Sequence, residues 1–208
     1  MKKIQVVIGL LAILFIGITI LIETNNIVGF DNTIYNFIYS FRNDGFDFFF
    51  KTITKLGNTM IVLCELCILM LSLKEEDCYK LGIGTITTVL TNQVLKFIIR
   101  RPRPNHLRLI KQGGYSFPSG HAMIAISLYG FLLYVVHKRV KNKWKRITLE
   151  ILLIFIIIGI GLSRIYVGVH YPSDIMGGYI LAIMIQLATI TIYNNRFRGN
   201  KNDKNDCL

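Results

Sequence analysis

The sequence predicts an all-α protein, a six-transmembrane helical bundle with short interfacial helices after the first span. Three observations predict it. The 208 residues are 52% hydrophobic with a mean hydropathy of +0.49, too apolar for an ordinary soluble domain. The apolar residues gather into runs long enough to cross a bilayer. The basic residues, 24 Lys and Arg against 12 Asp and Glu, cluster between those runs rather than on a polar globular segment, so the formal charge of +12 has no nucleic-acid-binding domain to serve. Residues 1–208 read as a single domain, with no internal repeat or linker.

The first span is Ile4 to Ile22. Its basic start resembles a leader peptide, but the apolar run of about 19 residues is too long and no small-residue cleavage site follows, so it is read as a retained helix. Between Glu23 and Leu56 the pattern changes. Ile34, Phe37, Ile38 and Phe41, then Phe46, Phe49, Phe50 and Ile53, repeat at the helical period of two short amphipathic helices lying along the interface.

A second span is expected from Asn58 to Leu73, before a charged turn at Lys74 to Asp77. Glu65 inside it is an isolated carboxylate, read as structural because it lies far from the motifs below. Cys64 and Cys67 form a C-x-x-C in the same run, but no further Cys or His partners lie nearby, and packing is the expected role. The third span is Tyr79 to Ile99, whose Thr87, Thr88, Thr91, Asn92 and Gln93 should face other helices rather than lipid. The fourth runs from Ser119 to about Val136, the fifth from Ile147 to Leu162 and the sixth from Ser173 to Tyr193, leaving residues 194–208 as a disordered polar tail.

Lys2 and Lys3, the six Lys and Arg residues between His137 and Arg146, and the basic tail fall on one side of such a bundle. The positive-inside rule makes that side cytoplasmic, with both termini there. The Lys96 to Pro118 loop and the Ser163 to Asp174 stretch then meet on the other side.

Those two stretches, with Pro118 to His121, carry the chemistry. In SRIYVGVHYPSD, Arg164 offers a planar fork of donors, His170 a ring nitrogen able to attack phosphorus, and Asp174 a carboxylate able to orient that ring. In KFIIRRPRP, Lys96 and Arg103 would share a face of a continuous helix, but Pro102 and Pro104 argue against continuation, and a helix end followed by a bent loop can still bring both cations to one anion. In PSGH, Ser119 is a plausible N-cap, the following backbone N–H groups face an anion, and Gly120 lets the backbone approach closely. Each alone has a plainer reading, as a membrane-edge basic cluster, a capping sequence or an interfacial histidine. Their convergence on one side of the membrane favours a phosphate site.

The K-x6-RP, PSGH and SR-x5-H-x3-D stretches resemble, at every motif position, those of the type 2 phosphatidic acid phosphatase family, and the resemblance extends over nearly the whole chain. Soluble vanadium haloperoxidases share the motifs, but six spans argue against that branch. The resemblance implies a metal-independent phosphatase with no cofactor, acting through a phosphohistidine intermediate. It makes His170 the nucleophile, Asp174 its orienting carboxylate and His121 the general acid. Lys96, Arg103, Ser119, Gly120 and Arg164 become the phosphate-binding groups. The absence of a magnesium-type carboxylate cluster from the sequence agrees.

The implied partners are the bilayer and a membrane lipid phosphate in a bacterial plasma membrane, with the site extracytoplasmic. Phosphatidic acid or phosphatidylglycerophosphate is favoured over undecaprenyl diphosphate, because family members devoted to the latter often carry Asp at the position of Gly120. A non-catalytic lipid transporter or scaffold on the same fold is the alternative of another class. It would be favoured by loss of a motif residue, and none is lost.

Overall fold

The computed structural model describes residues 2–105 and 108–205, with side chains described as far as Arg196. Helix α1 (Lys2–Glu23) is followed by α2 (Val28–Tyr39), α3 (Asp44–Ile53), a 3-10 turn (Thr54–Gly57), α4 (Thr59–Ser72) and α5 (Glu75–Ile99). After a long loop come α6 (Gly120–Ala125), a π-helical turn (Ile126–Gly130), α7 (Phe131–Arg139), α8 (Lys143–Tyr166) and α9 (Pro172–Asn205). No strand occurs among the described residues.

Five helical stretches are long and apolar enough to cross a membrane: α1, α5, the continuous α6–α7 stretch, α8 and α9. The sixth crossing differs from the expected one. Helix α4 has 14 residues and rises about 21 Å, short of a hydrocarbon core about 30 Å thick. It is long and apolar enough for a sixth span only when taken together with α3 and the 3-10 turn, as one broken stretch bent by 54°. The bend has a local cause. Asn58 leaves the helical conformation, and its side chain accepts from the Met60 N–H, which caps a new helix rather than continuing the old one. Helix α9 runs on to Asn205 through the segment expected as a disordered tail.

The α6–α7 stretch is the central post, packed by α5, α8 and α9. Leu128 and Phe131 join Leu81 of α5 and Ile160 of α8 in the main apolar cluster. With lipid on one side and helix on the other, close packing holds such contacts, and small residues permit it. A Cβ at Gly178 of α9 would come within 3.0 Å of the Ser119 carbonyl oxygen and 3.2 Å of the Ala122 Cβ, so only glycine lets α9 lie this close to the start of α6.

Helix α1 stands outside this cluster. It packs on α9, with Phe15 stacked on Phe117 at 5.7 Å between ring centroids, and turns Leu10, Ile13, Leu14 and Ile16 outward. The polar residues of α5 divide between two faces: Thr88 and Asn92 are buried, whereas Thr87 and Gln93 are exposed. Cys64, Cys67 and Cys78 are free thiols, the first two exposed on α4.

The two ends of the bundle are electrostatically distinct. At one, the buried Asp77 of α5 accepts from Arg139 of α7 and pairs with Lys80 at 3.7 Å. At the other, the C-terminal ends of α5 and α8 meet the N-terminal ends of α6 and α9.

Candidate active site

His170 lies in the turn between α8 and α9, and local geometry puts it there. Gly168 adopts a left-handed φ of 78°, where a side chain would be strained. The turn folds back so that the Val169 and His170 N–H groups both donate to the Arg164 carbonyl at 3.2 Å. The ring that results is buried, 2% exposed.

Its two nitrogens have fixed partners. Nε2 is 3.0 Å from Arg103 Nη1, and Nδ1 is 3.2 Å from Asp174 Oδ2. A guanidinium can only donate, so Nε2 accepts, and the ring proton sits on Nδ1, where it is donated to the carboxylate. The lone pair of a neutral imidazole therefore faces the cations. Burial first, then Arg164, Arg103 and Lys96, hold the His170 imidazole well below its ordinary pKa.

Asp174 belongs to the first turn of α9, which begins at Pro172, a residue suited to that position because its missing N–H has no helical use. From there Oδ2 also accepts the Tyr171 N–H at 2.8 Å, as the third residue of a capping box does. The other oxygen, Oδ1, accepts from Arg101 Nη1 at 2.7 Å. Arg101 reaches in the opposite direction to Asp31 of α2, at 2.6 Å. Asp31 in turn accepts from the Ser173 N–H at 2.9 Å and its hydroxyl at 2.7 Å. The Arg101 guanidinium also lies 4.2 Å above the Tyr171 ring. Asp31, Arg101 and Asp174 thus form one buried chain behind the nucleophile candidate.

Sequence reasoning did not assign Asp31 or Arg101. The doubled arginine of KFIIRRPRP was the available signal, since only one of two adjacent side chains can share a face with Lys96.

The remaining cations come from three directions. Arg100 ends α5 in a left-handed conformation, φ 50°, and this reversal turns Pro102 and Arg103 back over the site. Arg103 is anchored by donating from Nε to the Gly113 and Gly114 carbonyls at 3.1 and 3.0 Å and from Nη1 to Val169 at 2.9 Å. Its burial lowers its pKa, an effect Asp174 opposes.

Arg164, 1% exposed, donates to Thr54 Oγ1 at 2.8 Å and Gln112 Oε1 at 3.0 Å. Its Nε is among the buried polar atoms without a partner. Lys96, half-buried on the last turn of α5, has Arg103, Arg164 and Asp174 as its charged neighbours. With Arg101 included, four cations surround two carboxylates, a surplus of positive charge that suits an anion.

Ser119 and His121 close the site from α6. The Ser119 Oγ accepts from the Ala122 N–H at 3.4 Å, as an N-cap should, and its own N–H donates to the Asp174 carbonyl at 3.1 Å. The room beside Gly120 is taken by Asn92: a Cβ there would stand 3.2 Å from the Asn92 Oδ1. The Asn92 amide also donates to the Pro118 carbonyl at 2.9 Å. Glycine at 120 therefore admits an asparagine from α5.

His121 has Arg164, His170, Lys96 and Arg103 as its charged or titratable neighbours. Its ring lies against the backbone of Gly57, where a Cβ would come 2.7 Å from His121 Cδ2. Every site residue named from the sequence falls within this cluster, joined by Asp31, Thr54, Asn92, Arg101 and Gln112.

An all-helical membrane bundle whose α5, α6 and α8–α9 ends present Lys, Arg, His and Asp to one anion site defines a class, and the sequence matches the profile of that class over residues 78–198, described as the PAP2 superfamily. The chain belongs to that family. Among its relatives, phosphatidylglycerophosphatase B of Bacillus subtilis is 37% identical over 101 residues, covering 48% of this chain and 49% of the relative. An undecaprenyl-diphosphatase of Sulfolobus acidocaldarius is 30% identical over 118 residues, covering 54% of this chain and 53% of the relative. The chain spans about half the length of these curated relatives.

A solved structure, the transmembrane PAP2 type phosphatidylglycerolphosphate phosphatase from Bacillus subtilis, superposes with a TM-score of 0.80 at 25% identity, covering 90% of this chain and 96% of that one. LpxE of Aquifex aeolicus shares the fold, with a TM-score of 0.67 at 23% identity over 78% of this chain and 95% of that one.

Proposed function

We propose that this protein is a lipid phosphate phosphatase that hydrolyses a phosphomonoester of a membrane glycerophospholipid through a phosphohistidine intermediate. The single observation that carries the reading is the state of His170: Nδ1 tied to Asp174, Nε2 carrying a lone pair among Lys96, Arg103 and Arg164.

In the first step Nε2 attacks phosphorus and the bond from phosphorus to the ester oxygen breaks. With the phosphate's negative charge bound among those cations, a protonated His121 gives its proton to that leaving oxygen, releasing the lipid alcohol. The charge on the three equatorial oxygens is met by Lys96, Arg103 and Arg164, with Ser119 and the Gly120 N–H. In the second step water attacks phosphorus while His121 accepts a water proton; the phosphorus–nitrogen bond breaks, its electron pair returns to Nε2, and inorganic phosphate leaves. Arg103 must exchange its donation to Nε2 for a phosphate oxygen, which couples substrate binding to release of the nucleophile. In this scheme His121 relays the proton, from water to the leaving alcohol over the cycle, and Lys96, Arg103 and Arg164 supply the compensating charge, so no step calls on a metal.

The activity of the relatives named above and the retention of every motif position support an enzyme over a transporter or scaffold. Gly120 favours glycerophospholipids, and undecaprenyl diphosphate is the alternative substrate. The site lies at the end of the bundle away from the basic α7–α8 connection, which supports an extracytoplasmic site with both termini in the cytoplasm. Phosphate release by purified protein from phosphatidic acid, phosphatidylglycerophosphate and undecaprenyl diphosphate tests the reading. Preference for a glycerophospholipid is expected, and no release from any lipid phosphate would overturn it.

A further inference from the structure

Glu65 lies mid-helix in α4, partly buried, and takes no part in the scheme above. An ionisable group at membrane depth is costly unless it has work there. Both its carboxyl oxygens are 2.9 Å from the Tyr129 hydroxyl, beside a cavity of about 180 Å³ lined also by Ile68, Leu69, Leu128 and Leu132. Tyr129 belongs to the π-helical turn, a wide turn of a kind often found at functional sites. Its hydroxyl is also 3.2 Å from the Leu56 carbonyl oxygen.

Leu56 sits in the Thr54–Gly57 turn, and two neighbours in that turn touch the active site. Thr54 Oγ1 accepts from Arg164, and Gly57 forms the wall against which His121 rests. One four-residue turn therefore seats both the candidate acid and a candidate phosphate ligand. Tyr129 has one hydroxyl hydrogen and two acceptors to serve. All three groups are satisfied when the Glu65 carboxyl donates to Tyr129 and Tyr129 donates to Leu56.

We propose that Glu65 and Tyr129 are positioning residues: their hydrogen-bonded pair clamps the Leu56 carbonyl, fixes the Thr54–Gly57 turn, and so sets His121 for proton donation. The proposal rests on the assignment of His121 as general acid. A displacement of about 1 Å at a reacting group can cost about a hundredfold in rate, so a clamp one residue away from that wall has leverage on the chemistry.

The test compares Tyr129→Phe, Glu65→Leu and Glu65→Gln in purified protein, with an alkyl phosphomonoester and with p-nitrophenyl phosphate, whose leaving group needs little protonation. Tyr129→Phe and Glu65→Leu are expected to lower kcat on the alkyl ester about 10- to 100-fold and on p-nitrophenyl phosphate about fivefold less than that. Glu65→Gln, whose amide can still donate to Tyr129, should stay within about threefold of the parent on both. Tyr129→Phe added to His121→Ala should cost nothing further.

Equal losses on the two substrates, a Glu65→Gln variant as impaired as Glu65→Leu, or additive losses in the double variant would each overturn the clamp. Should the first two variants fail to fold, Gly57→Ala displaces the His121 ring directly. The same leaving-group bias supports the proposal, and its absence defeats it. A His121→Ala variant that itself lacks the bias refutes the acid assignment. The bias in His121→Ala without it in Tyr129→Phe refutes the clamp alone.

Discussion

Arg101 and Asp174 are joined at 2.7 Å through the one carboxylate oxygen that His170 does not use. Asp174 is thus shared between a cation and a ring, and its other attachments all serve to keep it so. Arg101 is itself held by Asp31 at 2.6 Å, so three chain segments meet behind the nucleophile candidate.

Arg101→Lys keeps the charge but cannot bridge two carboxylates with parallel donors. It is expected to lower kcat by about 10- to 100-fold with little change in KM, because Arg101 orients Asp174 and does not touch substrate. Asp31→Asn should destabilise the fold by roughly 3 kcal/mol, as removal of one partner of a buried ion pair does. Steady-state kinetics and thermal unfolding in detergent check both. A rise in KM with kcat unchanged would place Arg101 on the substrate instead.

His170→Ala should abolish turnover and any acid-labile, base-stable phosphoenzyme, while Lys96, Arg103 and Arg164 still bind lipid phosphate. Asp174→Asn should retain partial activity, since it touches the ring but favours the wrong tautomer. Rapid quench with a labelled substrate separates these outcomes. Substantial activity in pure His170→Ala protein would remove His170 from its role.

The buried, cation-flanked imidazole of His170 stays neutral in the folded protein at pH values where the unfolded chain takes up a proton. The folded pKa lies below the unfolded one, so the effect is absent above about pH 6.5 and grows as pH falls beneath it, destabilising the fold by up to about 1.4 kcal/mol per pH unit. Unfolding midpoints between pH 7.5 and 5 should therefore fall less steeply in His170→Gln than in the parent. Parallel curves would contradict the assignment.

Phosphate release should persist in excess EDTA, because Lys96, Arg103 and Arg164 supply the compensating charge. Activity lost to chelator and restored by magnesium would contradict the mechanism.

Single cysteines at Asn105 and Asn142, both exposed, should differ in labelling by an impermeant thiol reagent on intact cells when all native cysteines are removed. Labelling at 105 alone is expected. Labelling at 142 alone would invert the orientation.

Much of this architecture was legible because bilayer thickness and helical rise dictate long apolar runs, and α1, α5, α8 and α9 have them. The broken crossing was not. The bend at Asn58 arises from one side chain capping a new helix, and hydropathy carries no sign of it. Polarity on α5 was legible only in part: Thr87 and Thr88 are adjacent, yet helical geometry sends one outward and the other inward.

In the candidate site, Lys96, Arg103, Ser119, His121, Arg164, His170 and Asp174 were legible through the three motifs that carry the family resemblance, and the fold brings them together. Asp31 and Thr54 were not, because their partners lie far along the chain and no local pattern encodes such a pairing.

The buried chain from Asp31 through Arg101 to Asp174 also joins segments that an N- to C-terminal insertion would deliver at different times. Asp31 precedes the broken crossing, Arg101 follows α5, and Asp174 arrives only with α9. While the chain is being inserted, Asp31 and Arg101 can find one another, but Arg101 lacks its second carboxylate until the last helix enters. On that order, docking of the last helix would meet the second charge of Arg101 as well as pack the bundle. The contact that closes the bundle also completes the candidate site, so on the proposed function a chain lacking its last helix would lack the carboxylate that orients His170.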